Sequence, residues 1–229
     1  MPVTPDIPAA EVAIIERTNA FRAQHGLGRV TTNAQLTAAA RAYAKKLAAH
    51  GELTHTLNGT TASGRARGAG YSYCQIAENL ATIYDSTGFT AREYARRAVT
   101  GWEGSPGHRK NMLMPHVTEI GVGVVRGPTN DPRYVTVQLF GRPQSAQYRF
   151  KIKNSSRATI PFRFGDKDDE IEPRYTITIG ACTPGPITFR MKNTSPSTAR
   201  FEPRDGQLYT LEPTPEGGVS VKVTDGVSP

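Results

Sequence analysis

The chain has 229 residues, 37 % of them apolar, with 22 Gly and 17 Pro. That is enough for one large or two modest domains rich in turns. It carries 28 Lys and Arg against 20 Asp and Glu, a net charge of +8 and a pI near 9.7. This balance favours anionic partners such as lipid headgroups, a cell wall or acidic polysaccharide. No Lys/Arg block interleaved with aromatics reads as a nucleic-acid platform. No apolar run approaches the roughly 18 residues of a transmembrane segment, and the start M-P-V-T-P-D shows no signal peptide.

In chain order, Val12, Ile15 and Phe21 recur at near-helical spacing from Pro8 to about His25, and Gly26 supplies a stop. A second helix is expected from about Asn33 to His50, because Leu36, Ala39, Ala40, Tyr43 and Leu47 step by three and four. Asn33 caps its start and Gly51 ends it. A third is expected from about Thr90 to Trp102, with Thr90 and Glu93 placed as a capping box. The pattern then changes. I-G-V-G-V-V-R from Ile120 and Y-V-T-V-Q-L-F from Tyr134 flank the turn G-P-T-N-D-P and read as a β-hairpin. Helices followed by a hairpin predict an α+β layered domain that closes at Gly141 to Pro143. From Tyr148 onward the runs Y-R-F-K-I-K, I-P-F-R-F, Y-T-I-T-I, I-T-F-R-M-K and V-S-V-K-V alternate with period two between turn clusters. These predict a small all-β sandwich-like module.

The stretch W-E-G-S-P-G-H-R-K-N-M-L, Trp102 to Leu113, sets the chain's one tryptophan six residues before a histidine. His25 and His50 adjoin helix-ending glycines, which explains them structurally, and His116 follows Pro115 without an evident partner. His55 and His108 read as loop residues. Between them A-E-N-L places Glu78 and Asn79 among Ile76, Ala77 and Leu80. A carboxylate in an apolar run is costly unless it is paired or metal-bound. Two imidazoles and a carboxylate suffice for an open zinc site, although a Glu78 that bridges a histidine structurally has the same appearance. The two cysteines, Cys74 and Cys182, belong to no C-x-x-C or zinc cluster. They are buried thiols in a reducing compartment or a disulfide pair in an oxidising one. The G-V-G-V stretch lacks the third glycine and following helix of a dinucleotide loop.

The pieces R-T-N-A-F-R-A-Q-H-G-L, L-T-A-A-A-R-A-Y-A-K-K-L-A, His55, A-E-N-L, W-x-x-S-P-G-H-R-x-N-M-L and E-I-G-V-G-V occur in this order. Together they resemble the CAP superfamily (cysteine-rich secretory, antigen 5 and pathogenesis-related proteins, or sperm-coating-protein domain), in its bacterial extracellular form. The resemblance implies an α+β fold with a three-layer α-β-α sandwich over residues 8–143, followed by the β-rich module over residues 146–226. It also implies an extracellular or periplasmic setting. Its groove residues map onto His55, Glu78 and His108, with Asn79, Trp102 and Ser105 as supporting groove or motif residues. Many members carry a second glutamate where this chain has Ser105, and Glu103 points about 200° away on a helix. Two functions follow from the resemblance. One is a binding or interaction protein whose groove holds a small ligand or a divalent cation such as zinc. The alternative is a metal-dependent, protease-like hydrolase with a histidine-held metal and Glu78 as general base. Catalytic candidates are then His55, Glu78 and His108. Ser105 as a nucleophile lacks the G-x-S-x-G elbow.

Overall fold

The computed structural model describes residues 2–128, 133–191 and 198–226. The chain divides into two compact units, Met1–Gln144 and Ser145–Pro229.

In the first unit, α1 (Ile7–Gln24) starts at Asp6, whose carboxylate accepts from the Ala9 amide. A short strand β1 (Thr31–Thr32) leads to α2 (Ala34–His50), capped by Asn33 and ended by Gly51 in the left-handed region at φ 90°. There follow α3 (Ala62–Gly68), β2 (Tyr73–Tyr84), α4 (Ala91–Glu103), α5 (Pro106–Met112), β3 (Glu119–Arg126) and β4 (Arg133–Pro143). At α4 the Thr90 hydroxyl accepts from the Glu93 amide as expected. Among the described residues no return bond from the Thr90 amide to Glu93 completes the capping box; the Glu93 carboxylate instead pairs with Arg97 one turn on.

The strands form one sheet in the order β1-β3-β4-β2, antiparallel except for the β1–β3 pair. The expected hairpin is therefore β3–β4; residues 129–132 of its G-P-T-N-D-P turn lie outside the described residues. Alternate residues of each strand serve opposite faces. Ile120, Val122, Val124, Tyr134 and Phe140 pack with Ile14 of α1 and Tyr94, Ala98 and Trp102 of α4. Val135, Val137, Leu139 and Leu80 pack with Leu36, Tyr43 and Leu47 of α2 on the other face. The result is the α-β-α sandwich.

Two glycines of β3 set how closely α2 lies on the sheet. A Cβ at Gly121 would stand 2.2 Å from the Leu36 carbonyl carbon, and one at Gly123 would stand 2.3 Å from the Arg41 nitrogen. The glycines of E-I-G-V-G-V are thus a packing device in a strand.

The second unit contains β5 (Tyr148–Asn154), β6 (Ile160–Phe164), β7 (Lys167–Ile171), β8 (Thr176–Ala181), β9 (Ile187–Arg190), β10 (Thr198–Phe201), β11 (Leu208–Pro213) and β12 (Val219–Thr224). They form two four-stranded sheets, β10-β9-β6-β7 and β12-β11-β5-β8. Phe150, Ile152, Tyr209 and Leu211 from one sheet share a core with Phe162, Ile171, Ile187 and Phe189 from the other. This is the sandwich that the period-two runs predict. Both Cys74 and Cys182 are disulfide-bonded, so the reading of two buried thiols is set aside.

Candidate functional site

The strand β2 is an edge strand, and its residues alternate about the pleat. Glu78 and Leu80 therefore point to one face, and Asn79 to the other. Glu78 is 6 % exposed and Asn79 is fully buried. Each needs partners, because an unpaired polar group in such surroundings is costly.

Asn79 finds them on α5 and β4. Its Nδ2 donates to the His108 carbonyl at 3.2 Å and to Gln138 Oε1 at 3.0 Å, the latter directly opposite it in the sheet register. Asn111 completes the tie. Its Nδ2 donates to Asn79 Oδ1 at 2.9 Å and to the Glu78 carbonyl at 3.0 Å. Gln138 in turn donates to Thr18 Oγ1 on α1 at 2.9 Å. The asparagines of A-E-N-L and H-R-K-N-M-L are thus one device that fixes α5 against β2.

The opening stretch of the helix is also structural. Ser105 is the N-cap residue of α5 without a side-chain capping bond, and Pro106 opens the helix, where its missing N–H costs nothing. His108 consequently lies in the first turn of a helix. This corrects the expectation of a loop. Trp102 is 2 % exposed, and its Nε1 donates to the Leu80 carbonyl at 3.0 Å. It anchors the end of α4 to β2, as its size and single donor suggest.

Arg22, from R-T-N-A-F-R, holds the far end of α5. It is 1 % exposed and donates to the carbonyls of Gly28, Met112 and Met114 at 2.9, 2.7 and 2.9 Å. Burial lowers its pKa from the ordinary arginine value. Asn19 of the same motif exchanges two hydrogen bonds with the Val30 backbone.

Glu78 is bound on the opposite face of β2. His55 Nδ1 lies 2.7 Å from Glu78 Oε1, and Arg65 Nη2 of α3 donates to Oε2. The Arg65 side chain is 9 % exposed against 56 % for His55. Arg65 Nη1 also donates to the His55 carbonyl at 3.1 Å, and the guanidinium stacks on Tyr43 with its carbon 3.4 Å from the ring centroid. Tyr43 donates to the Thr54 carbonyl and accepts from the Leu57 amide. Tyr43 and Arg65 thereby clamp the loop that carries His55. They also line a depression of about 350 Å³ between α2 and α3, with Ala38, Ala42, Lys46 and Ala69.

Of the sequence-predicted residues, the structure joins His55 to Glu78 directly and brings His108 near enough to feel the charge of His55. Burial, and secondly His55, lowers the His108 pKa from its ordinary value. Among the described residues no hydrogen bond joins His108 to Glu78 or to Ser105. Nor do three His, Cys, Asp or Glu side chains converge there in a group able to hold a metal. The expected ligand set His55, Glu78 and His108 does not appear as such a group among the described residues. Its carboxylate is already shared between an imidazole and a fixed guanidinium, and a metal at Glu78 would stand close to the positive charge of Arg65. Sequence reading missed Arg65 and the clamping role of Tyr43. A polar residue in an inward strand register, Gln138, was the visible sign of the Asn79 network; nothing in G-R-A-R marks Arg65.

Among proteins of known sequence, the uncharacterized YkwD of Bacillus subtilis is 31 % identical over 121 residues, covering 52 % of this chain and 44 % of that protein. The chain therefore spans less than half the length of this curated relative. Among solved structures, an outer surface protein of Borrelia burgdorferi is 24 % identical with a TM-score of 0.50, over 59 % of this chain and 93 % of that one. An extracellular protein of Bacillus anthracis containing an SCP domain is 26 % identical with a TM-score of 0.49, over 62 % of this chain and 45 % of that one. The sequence profile of the CAP, or cysteine-rich secretory protein, family matches residues 15–140. With the motif residues placed as described, the chain belongs to the CAP family.

Proposed function

We propose that this chain is an extracellular binding and interaction protein, and that the cluster around Glu78 holds a recognition surface in shape rather than cleaving bonds. One observation carries the reading: both oxygens of Glu78 are engaged, one by His55 and one by the buried Arg65. A general base for hydrolysis needs a carboxylate free to take a proton from water. A metal mechanism needs an open, correctly charged ligand set. The Arg65 guanidinium opposes both. No divalent cation is resident in this reading, and His55 and His108 are polar contacts for a ligand along β2. Lipid, cell-wall material and acidic polysaccharide remain the candidate ligands, in keeping with the charge of +8. The family's secretory character and the disulfide-bonded cysteines support an oxidising, extracellular setting. Among the described residues no helix is long and apolar enough to cross a membrane.

The test is hydrolysis of fluorogenic peptide and ester panels, with and without added zinc, by wild type and by Glu78→Gln. The expected result is no turnover that separates the two proteins. Zinc-dependent turnover in wild type that vanishes in Glu78→Gln would overturn the reading in favour of the hydrolase.

A further inference from the structure

At one end of the second unit three connections meet: the β5–β6 loop, the β7–β8 turn and the β11–β12 turn. They line an open depression of about 530 Å³ that includes Ser155, Arg157, Arg174, Pro213, Gly217 and Val219. The lining holds two guanidinium groups, no carboxylate and no aromatic ring.

The two arginines are held by a common brace. Asn154 is fully buried. Its Nδ2 donates to the carbonyls of Ala158, Ile171 and Glu172 at 2.8, 3.0 and 3.1 Å. Its Oδ1 accepts from the Ser156 amide and hydroxyl at 3.0 and 2.7 Å. One side chain thus ties the loop of Arg157 to the turn of Arg174.

Arg174 also occupies an unusual place. Glu172 to Tyr175 is a turn closed by the Tyr175 amide on the Glu172 carbonyl at 3.3 Å, with Pro173 second and Arg174 third. Arg174 has φ 67°, the left-handed region in which the third position of such a turn favours glycine or asparagine. The chain spends backbone strain to keep a cation there, a common mark of functional positions. Among the described residues neither Arg157 nor Arg174 forms an ion pair, whereas Arg163 pairs with Asp168 and Arg97 with Asp85 and Glu93. The nearest carboxylate in the turn, Glu172, accepts from the Thr159 hydroxyl at 2.8 Å.

We propose that this end of the β-unit is an oxyanion site, in which Arg157 and Arg174 bind carboxylate or phosphate groups carried on an acidic polysaccharide. Guanidinium forks match both groups bidentately. The size of the depression exceeds that of a single anion. No aromatic ring lines the depression, and Tyr175, exposed beside Arg174, is a single ring where single-stranded nucleic acid uses successive stacking rings. The site is independent of the reading of His55, Glu78 and His108.

The test is calorimetry at low salt with the full chain. Its probes are inorganic phosphate, an oligogalacturonate, a phosphomannan oligomer, a neutral dextran oligomer and a single-stranded oligonucleotide, with amide shifts of residues 155–158 and 172–175 followed by NMR. Either acidic oligomer should bind saturably, shift those amides and outcompete phosphate, and the stronger of the two identifies the anion. Arg174→Gly should weaken binding about tenfold while the melting temperature is unchanged or higher, since glycine accepts the positive φ. Arg157→Ala with Arg174→Gly should abolish it. Four results would each overturn the proposal: no binding of either acidic oligomer, equal binding of dextran, binding unaffected in the double variant, or tighter binding of a single-stranded oligonucleotide at the same amides.

Discussion

The two units bury their sheets by opposite means. In the β-unit two sheets face each other across a core of aromatic and aliphatic side chains, with Phe189 against Phe162, Phe201 and Tyr209. In the CAP unit a single sheet lies between helices, and its interior is threaded with polar groups: Glu11, Thr18, Asn19, Arg22, Asn79, Thr136 and Gln138 are all buried. Those groups are hydrogen-bonded to backbone or to one another, for example Tyr94 to Thr136 and Glu11 to the Val124 amide. The aromatic core maximises buried apolar area. The polar core gives up some of that area to fix α5, the sheet edge and the His55 loop in one arrangement. Where a protein spends its interior on hydrogen bonds, position is what is being specified.

That contrast can be broken first at the hub of each core. Arg22→Ala leaves the carbonyls of Gly28, Met112 and Met114 without their donor, and should cost about 4 kcal/mol. Lysine at the same position should recover only part, because one ammonium cannot reproduce the planar fork. Phe189→Ala, fully buried, should cost a similar amount or slightly less, about 3–4 kcal/mol. Chemical denaturation followed by Trp102 fluorescence should register the Arg22 change and not the Phe189 change, since the one tryptophan lies in the first unit. Equal shifts of the Trp102 signal in both variants would show that the two cores do not melt separately.

A second probe concerns close approach. Gly123→Ala should destabilise the first unit by about 2–3 kcal/mol, because the new methyl group meets backbone of α2 rather than a yielding side chain. A melting temperature within a degree or so of wild type would mean that α2 can lift off β3 at little cost.

The same contrast explains which features were legible. The period-two runs of the β-unit announced their strands because one face of each is apolar, as in Y-R-F-K-I-K. The strand β7, K-D-D-E-I, has four of five residues exposed and carries no such alternation. In the first unit α1 was placed correctly, with Phe21 in the core and Ile15 packed against it. Val12, however, is 55 % exposed, while Glu11, Thr18, Asn19 and Arg22 are buried, so an apolar reading finds only part of the inner face. β2 was seen only as the run around Glu78, since two of its three buried residues, Glu78 and Asn79, are polar. His55, Glu78 and His108 came from ordered motifs. Arg65, the residue that decides the chemistry of Glu78, is one cation among 28 and becomes visible only when α3 packs beside β2.

A finer effect lies in pH. The His108 pKa is held below its ordinary value, first by burial and then by His55. Between the folded and unfolded values the unfolded chain binds more protons. The contribution of His108 to stability is therefore complete above about pH 6.5 and is lost as the pH falls through the folded value. An NMR titration of the ring protons should find His108 below the ordinary histidine range. His55→Ala should move it part of the way back, because burial remains. A His108 titration at or above the ordinary value would contradict the arrangement.

The most direct measurement of the central claim is zinc calorimetry on the intact protein near neutral pH, with His55→Ala/His108→Ala alongside. If Arg65 and His55 satisfy Glu78, wild type shows no saturable one-to-one zinc binding at micromolar concentrations, and the double variant gives the same trace. A one-to-one micromolar site in wild type that disappears in the double variant would contradict the account and restore His55, Glu78 and His108 as metal ligands.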